Sequence, residues 1–397
     1  MVPLGVLILA DSVLSYAAPL YAQNLFSNQF IVGLAISFSS AVGLLFDYFS
    51  KRILGRRGFS FFIKLTFILL IIFSYSLGLS LVYRYIFIFA MVVWGIHYET
   101  LAFSGFKFLK DNIEKQYYTF SWAFISMLRA LVYGIGPLIA TYLISTSFSL
   151  PAYVSGTFVL ITFVLYLTLE KRKPHTKNQT EVIDTLQLDS TRKVEEVKIW
   201  FVLFKRIHPV WLLSLVLLIV DSGFWTIGIL MAENMAKTAP IARLMIPVYM
   251  LPAVFAAPLS QAVCNKHGKK KTAIVCAFFA AIFLVLMGLV NRVEFIIGAI
   301  FIYSIFTSLS FPAIYATFED FVKRLSTYDV DLIGLEQSSA NFGYILGPML
   351  AGFIAVKLTD QKVFLVFGIL LALVSLTALI TTPKKIKMPQ SELSKMT

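Results

Sequence analysis

Apolar runs of about 20 residues recur from one end of this chain to the other, and no other feature narrows its possible folds so far. That is the length at which a helix crosses a hydrocarbon layer about 30 Å thick. Transmembrane barrel strands are shorter, roughly 10 residues, and alternate in polarity; the runs here do not alternate. Only 14% of the 397 residues are charged, against about 25% in soluble domains, so most of the chain cannot face water. It reads as an all-α polytopic membrane protein with twelve transmembrane helices, near 3–26, 30–49, 59–80, 85–106, 118–145, 150–169, 209–232, 241–263, 272–290, 294–317, 331–356 and 362–382.

Cationic residues set the orientation of such a bundle. With the N-terminus inside, the inner connections and the C-terminal tail hold 26 of the 34 Lys and Arg. The outer connections hold Arg84, Lys237, Arg243, Arg292, Lys357 and Lys362, while Lys64 and Arg129 fall within spans. Both termini are therefore expected in the cytoplasm, with the plasma (inner) membrane as the location. The same distribution accounts for the net charge of +13 without a nucleic-acid partner, because insertion topology alone requires it. Near the N-terminus, "SYAAPLYAQ" has small residues that would suit a signal peptidase. No Lys or Arg precedes it and Asp11 interrupts the apolar core, so the segment is read as the first span. Cys264 and Cys276, on or near the cytoplasmic side, predict no disulfide.

The longest polar stretch, 170–208, divides the chain evenly into a bundle of six spans over 1–169 and a second over 209–382, followed by a tail over 383–397. Its latter part, "VEEVKIWFVLFKRIHP", suits an interfacial helix with Trp200 and Phe204 towards the membrane and Lys198 and Lys205 beside them. It equally suits a plain linker with Pro209 opening span seven. Three marks recur between the halves. Asp11-Ser12 and Asp221-Ser222 lie 210 apart. "YGIGPLIATY" on span five and "GYILGPMLAG" on span eleven place Gly136-Pro137 and Gly347-Pro348 211 apart. After spans two and eight, "GLLFDYFSKRILGRR" and "APLSQAVCNKHGKKK" align at 214. Duplicated halves with a solute site near the midplane are a common plan of secondary transporters.

The loop after span two, with Gly43, Asp47, Lys51 and Arg52 in register, Tyr48 at the first basic position and Ser50 at the second glycine, resembles the signature loop of the major facilitator superfamily. The second-half copy has Ala257, Gln261, Asn265 and Lys266 at those places. A Gly-x-x-x-Gly-Pro pattern of the same family matches Gly343, Gly347 and Pro348 on span eleven; on span five Val132 stands at its first position. The resemblance covers the whole chain. It implies two pseudo-symmetric six-helix bundles, a central cavity lined by helices 1, 4, 7 and 10, and a loop aspartate, Asp47, that sits against the start of helix 11 and holds the cytoplasmic gate closed.

Asp11, Glu99, Arg129 and Asp221 fall near the middle of spans, where an ionised group costs about 2.5–3.5 kcal/mol on insertion scales. Each needs a partner or a wet cavity. Under the resemblance, Asp11, Glu99 and Asp221 lie on three of the four cavity helices. A carboxylate in low dielectric holds its proton more tightly than one in water, which makes these three, with His97, the proton-coupling candidates. The same acids also suit purely structural hydrogen bonding, with Arg129 neutralising Glu99 and His97 acting as a packing residue. Tyr16, Trp94, Tyr98 and Trp225 lie within a turn or two of the acids and suit an amphipathic solute; Asn341 and Arg129 complete the cavity candidates. Gly136, Pro137, Gly343, Gly347 and Pro348 are read as helix-packing positions. Lys64 snorkels from the inner end of span three, and Glu319 and Asp320 end span ten in solvent.

Nothing in the sequence reads as an enzyme, a cofactor site or a metal site. "GKKKT" at 268–272 lacks the first glycine of a phosphate-binding loop. The expected function is secondary active transport of a small organic solute by alternating access, coupled to protons, with a lean towards efflux of amphipathic compounds. The alternatives are a proton symporter for a sugar or organic anion, and a non-transporting receptor or scaffold on the same fold. The expected partners are the solute, protons and the lipid bilayer, with a monomer as the default.

Overall fold

The structure, a computed structural model, describes residues 2–54, 58–112, 118–170, 192–325 and 329–382. Thirteen α-helices follow one another among the described residues: α1 (Val2–Phe26), α2 (Gln29–Leu54), α3 (Phe59–Leu79), α4 (Tyr85–Asn112), α5 (Tyr118–Thr146), α6 (Leu150–Glu170), α7 (Arg192–Gly223), α8 (Ile229–Ala236), α9 (Met245–His267), α10 (Lys269–Leu289), α11 (Val293–Arg324), α12 (Asp329–Lys357) and α13 (Asp360–Thr381). No strand occurs among the described residues. A π-helical turn, Phe224–Gly228, joins α7 to α8, and the two form one span over Ile199–Ala236. Among the described residues eleven helices are long and apolar enough to cross a membrane, or twelve with the bent pair Pro240–Ala256 and Leu259–His267 taken as one span. The expected all-α, twelve-span architecture is therefore present.

Short connections are closed by local chemistry. Asn28 Oδ1 accepts from Phe30 N at 2.9 Å, satisfying one of the donors that every helix start leaves open. Thr359 does the same for α13, accepting from Lys362 N at 3.3 Å. Gly268, between α9 and α10, sits at φ 88°, a left-handed conformation that a side chain resists.

Contacts divide the chain into two compact units. The first comprises Met1–Asp184, Phe224–Leu251 and Pro348–Lys357; the second comprises Thr185–Gly223, Pro252–Gly347 and Leu358–Thr397. In the first unit α1 is the central helix, with 78% of its most apolar window buried, against 22% for α6. The described part of α6 follows from that: it turns small residues (Ala152, Ser155, Gly156) inward and leaves Ile161, Val164 and Leu165 exposed. In the second unit α7 is embedded in the same way. The stretch 192–208, read from sequence as an interfacial helix or a linker, forms the first part of α7, with Pro209 inside the helix. Trp200 anchors it by donating to Asp331 Oδ1 at 3.1 Å. Residues 171–191 and the tail 383–397 lie outside the described residues.

Candidate functional site

In the first unit, α1 places Asp11 at 0% exposure, with Ser12 beside it. A carboxyl group stripped of water must be hydrogen-bonded, and two side chains supply this while a third faces it. Trp94 Nε1 on α4 donates to Asp11 Oδ1 at 3.1 Å. The Tyr133 hydroxyl on α5 donates to Asp11 Oδ2. His97 Nε2, one turn beyond Trp94 and also fully buried, stands 3.7 Å from Asp11 Oδ1. Packing fixes these donors: the Trp94 ring stacks on Phe73 of α3 with centroids 5.1 Å apart, and Trp225 of the π-turn meets the Tyr133 ring edge-on at 5.3 Å. A π-turn shifts the side chains that follow it around the helix, and such turns are frequent at functional sites.

The tautomer of His97 follows from its other nitrogen. Nδ1 lies 3.3 Å from the Thr66 carbonyl oxygen on α3, and a carbonyl only accepts, so Nδ1 carries a proton. Neutral His97 then turns the bare Nε2 lone pair towards Asp11. An ionised Asp11 and a neutral His97 would present two lone pairs to each other; a single proton between them makes the contact attractive. The geometry places a carboxyl group and an imidazole face to face, both closed to solvent.

Of the sequence candidates, Asp11, Trp94, His97 and Tyr98 thus meet in one cluster, with Trp225 at its edge. Tyr98, 42% exposed, reaches Tyr133 with its hydroxyl at 3.0 Å. Arg129 lies within electrostatic reach of Tyr98 and Tyr133 and is exposed. It does not pair with Glu99: the ion pairs among the described residues do not include it. Glu99 instead lies over Gly43 of α2, where an added Cβ would stand 3.4 Å from its carboxyl oxygen. Asp47 is partly exposed near the end of α2, and the side chains of Lys51 and Arg52 lie outside the described residues.

The repeated dipeptide makes the same contacts in the second unit. Asp221 accepts from the Tyr344 hydroxyl, as Asp11 does from Tyr133, and the two tyrosines are 211 apart. Ser222 Oγ donates to the Gly343 carbonyl at 3.1 Å, and Ser12 Oγ to the Val132 carbonyl at 3.3 Å. Each of these carbonyls adjoins the one that Pro137 or Pro348 leaves without its helical donor. The glycines let the helices approach: an added Cβ would meet Ser12 Cβ at 2.6 Å from Gly136 and the Ile219 carbonyl at 2.7 Å from Gly347. Gly343 packs likewise against Leu218, and Pro348 faces Gly33 of α2. The halves differ in burial, since Asp221 is partly exposed and Tyr344 is exposed. Asn341 is partly exposed one turn before Tyr344.

Tyr16 belongs elsewhere. At 0% exposure, it donates to Glu233 Oε1 at 2.8 Å. Thr141 donates to the same oxygen at 3.4 Å, and Arg243 Nε pairs with Glu233 Oε2 at 3.4 Å. Glu233, which sequence reading passed over, joins four segments at the end of the first unit that carries the 27–28 and 147–149 connections. Replacing it by Leu strands the buried Tyr16 hydroxyl, which costs about 1–3 kcal/mol. The expected result is a lower melting temperature for Glu233→Leu that Tyr16→Phe partly restores in the double variant. A double variant melting below Glu233→Leu would contradict this. Lys64, expected to snorkel, pairs with Glu170 at 2.8 Å. Glu319 and Asp320 pair with Lys323 at 2.8 Å and Lys269 at 2.7 Å.

Tyr133 and Tyr344 were legible in principle, since both stand inside the two Gly-Pro stretches that revealed the repeat. Glu233 gave a weaker signal, an acid in the last turn of a span.

The fold is shared with solved transporters. The nucleoside transporter NupG superposes with a TM-score of 0.67 at 12% identity, covering 96% of this chain and 100% of that one. A POT family transporter in complex with 5-aminolevulinic acid gives 0.70 at 13% identity, covering 96% of each chain. A D-xylose-proton symporter gives 0.69 at 14% identity, covering 97% and 98%. Against curated protein sequences the chain has no match. The family model of the Major Facilitator Superfamily matches residues 4–232 and 210–395. With that match spanning both halves and the transporter fold around it, the chain belongs to the major facilitator superfamily.

Proposed function

We propose that this protein is a proton-coupled secondary transporter of a small organic solute, with Asp11 as the coupling group. The observation that carries the reading is a fully buried carboxyl group held by Trp94 and Tyr133 and facing the one imidazole of its cluster. Intramembrane acids and histidines arranged in this way recur as proton relays in pumps and transporters. A purely structural tie between helices would need neither a second titrating group nor a bare nitrogen aimed at the carboxyl. Asp221, partly exposed and bonded to the exposed Tyr344, suits contact with the solute better than the fully buried Asp11 does.

The aromatic lining is narrower than the sequence suggests. Tyr16 and Trp94 are buried and committed to Glu233 and Asp11, which leaves Tyr98 and Trp225 for a solute. Arg129, exposed beside Tyr98 and outside the ion pairs of the described residues, supports a solute with a carboxylate or phosphate group. A thermal-shift screen of the purified protein against metabolite libraries identifies binders, because a ligand of the native state raises apparent stability. Arg129→Gln should then abolish the shift for anionic binders and keep it for neutral ones. The sign of solute flux into proteoliposomes under an imposed pH gradient separates symport from efflux, and no flux at all would favour the scaffold reading.

The proposed orientation has both termini in the cytoplasm. A cysteine at Thr238→Cys is expected to react with a membrane-impermeant reagent in intact cells, while Cys264 stays unlabelled. Protection of position 238 in intact cells would reverse the orientation.

A further inference from the structure

We infer that the Tyr98 and Tyr133 hydroxyls form a proton wire between the exposed face of the first unit and Asp11. This rests on the reading of Asp11 as the coupling group. A buried store is of use to a transporter only if protons reach it, and Asp11 is closed to water. Its hydrogen-bonding neighbours differ sharply in what they can conduct. The Trp94 N–H holds its proton permanently at neutral pH, and its ring only packs, on Phe73 and edge-on against Tyr98. His97 is buried and leads only to the Thr66 carbonyl. Tyr133 is partly exposed, and its oxygen is bonded in turn to the 42%-exposed Tyr98.

The donors of this chain are aligned. Tyr133 spends its one proton on Asp11 Oδ2, so in its bond with Tyr98 it accepts and Tyr98 donates. Every O–H therefore points towards the carboxylate. A hydronium ion at Tyr98 Oη gives up a proton as the Tyr98 O–H bond passes its own proton to Tyr133 Oη and the Tyr133 O–H bond passes its proton to Asp11 Oδ2, in one concerted shift that leaves water behind. Both tyrosines end neutral with their O–H bonds reversed, the carboxylate becomes a carboxylic acid, and release runs the same steps backwards. No tyrosinate forms. The charged and titratable groups facing the wire are Asp11 on α1, His97 on α4 and Arg129 on α5, with the neutral Thr66 carbonyl on α3 behind His97. The cationic Arg129 beside the outer hydroxyls disfavours a proton resting there, so the proton passes inward or leaves.

Infrared difference spectroscopy after a pH jump follows the protonated-carboxyl band of Asp11 in the purified protein, assigned by its loss in Asp11→Asn. Tyr98→Phe and Tyr133→Phe keep the rings and their edge contacts and remove only the oxygens. Each variant should slow both appearance and loss of the band by at least about tenfold, the low end of what a positioned proton carrier contributes being ~10². A merely structural Tyr133 predicts otherwise: removing a donor to the carboxylate favours the acid, so uptake would be as fast or faster while release slowed. In the unaltered protein, deuterated solvent should slow the band in both directions, which tests the wire even if a variant does not fold. Wild-type rates in either variant, or no solvent isotope effect, overturn the wire and leave the coupling reading standing. Absence of an Asp11 band across the whole pH range overturns both.

Discussion

The Asp11→Asn protein is expected to lose proton-driven accumulation of solute while still exchanging labelled for unlabelled solute across proteoliposomes. The amide is nearly isosteric with the carboxyl. With its NH2 in the Oδ1 place it donates to the bare Nε2 of His97 and its oxygen still accepts from Tyr133, so only the Trp94 bond is lost and the fold is retained. What disappears is the proton site. Exchange needs only the alternation of the binding site and no net proton movement, so it should survive within a fewfold of the unaltered rate. Asp221→Asn is the comparison built into the sequence, because the same dipeptide with the same tyrosine contact stands in the other half. It is expected to weaken solute binding and leave the coupling intact. Concentrative transport by Asp11→Asn would transfer the coupling role to Asp221 or Glu99.

Gly347→Ala should be strongly destabilising for the addition of a single methyl group. The new Cβ would lie 2.7 Å from the Ile219 carbonyl and 3.1 Å from the Ile219 Cα, and backbone cannot rotate away as a side chain can. Overpacking of this kind costs about 1–3 kcal/mol, occasionally more, and here it would push α12 off α7 at the level of Ser222 and Asp221. Gly298→Ala is the matched control, a helical glycine on α11 with nothing within 4 Å of an added Cβ. There the substitution is expected to stabilise by about 0.4–1 kcal/mol, because alanine loses less backbone entropy on folding. Melting temperatures should move in opposite directions. If both fall, the close approach at Gly347 is not what sets the effect.

Much of this protein follows from its sequence because a bilayer imposes a severe rule: every backbone polar group must be satisfied within the segment that crosses it. Length and apolarity alone therefore determined helices, their number and their approximate ends. The duplication was equally legible, since Asp-Ser and Gly-Pro are costly or conspicuous in apolar helices and recur at nearly one spacing. Which acid does what was not legible. Asp11, Glu99 and Asp221 look alike as letters, each one acid in an apolar run. Only packing buries the first against His97 and two aromatic donors, lays the second over Gly43, and leaves the third partly exposed beside Tyr344. Arg129 and Glu99 looked like partners because opposite charges on neighbouring helices attract, yet rotation of each helix about its axis decides where a side chain points. Tyr133 and Glu233 show the same limit, since their roles depend on Asp11 and Tyr16, which lie 122 and 217 positions away respectively. Composition and periodicity report how a segment meets its solvent; they carry no record of which distant side chain it meets, and that is what the tertiary structure decided.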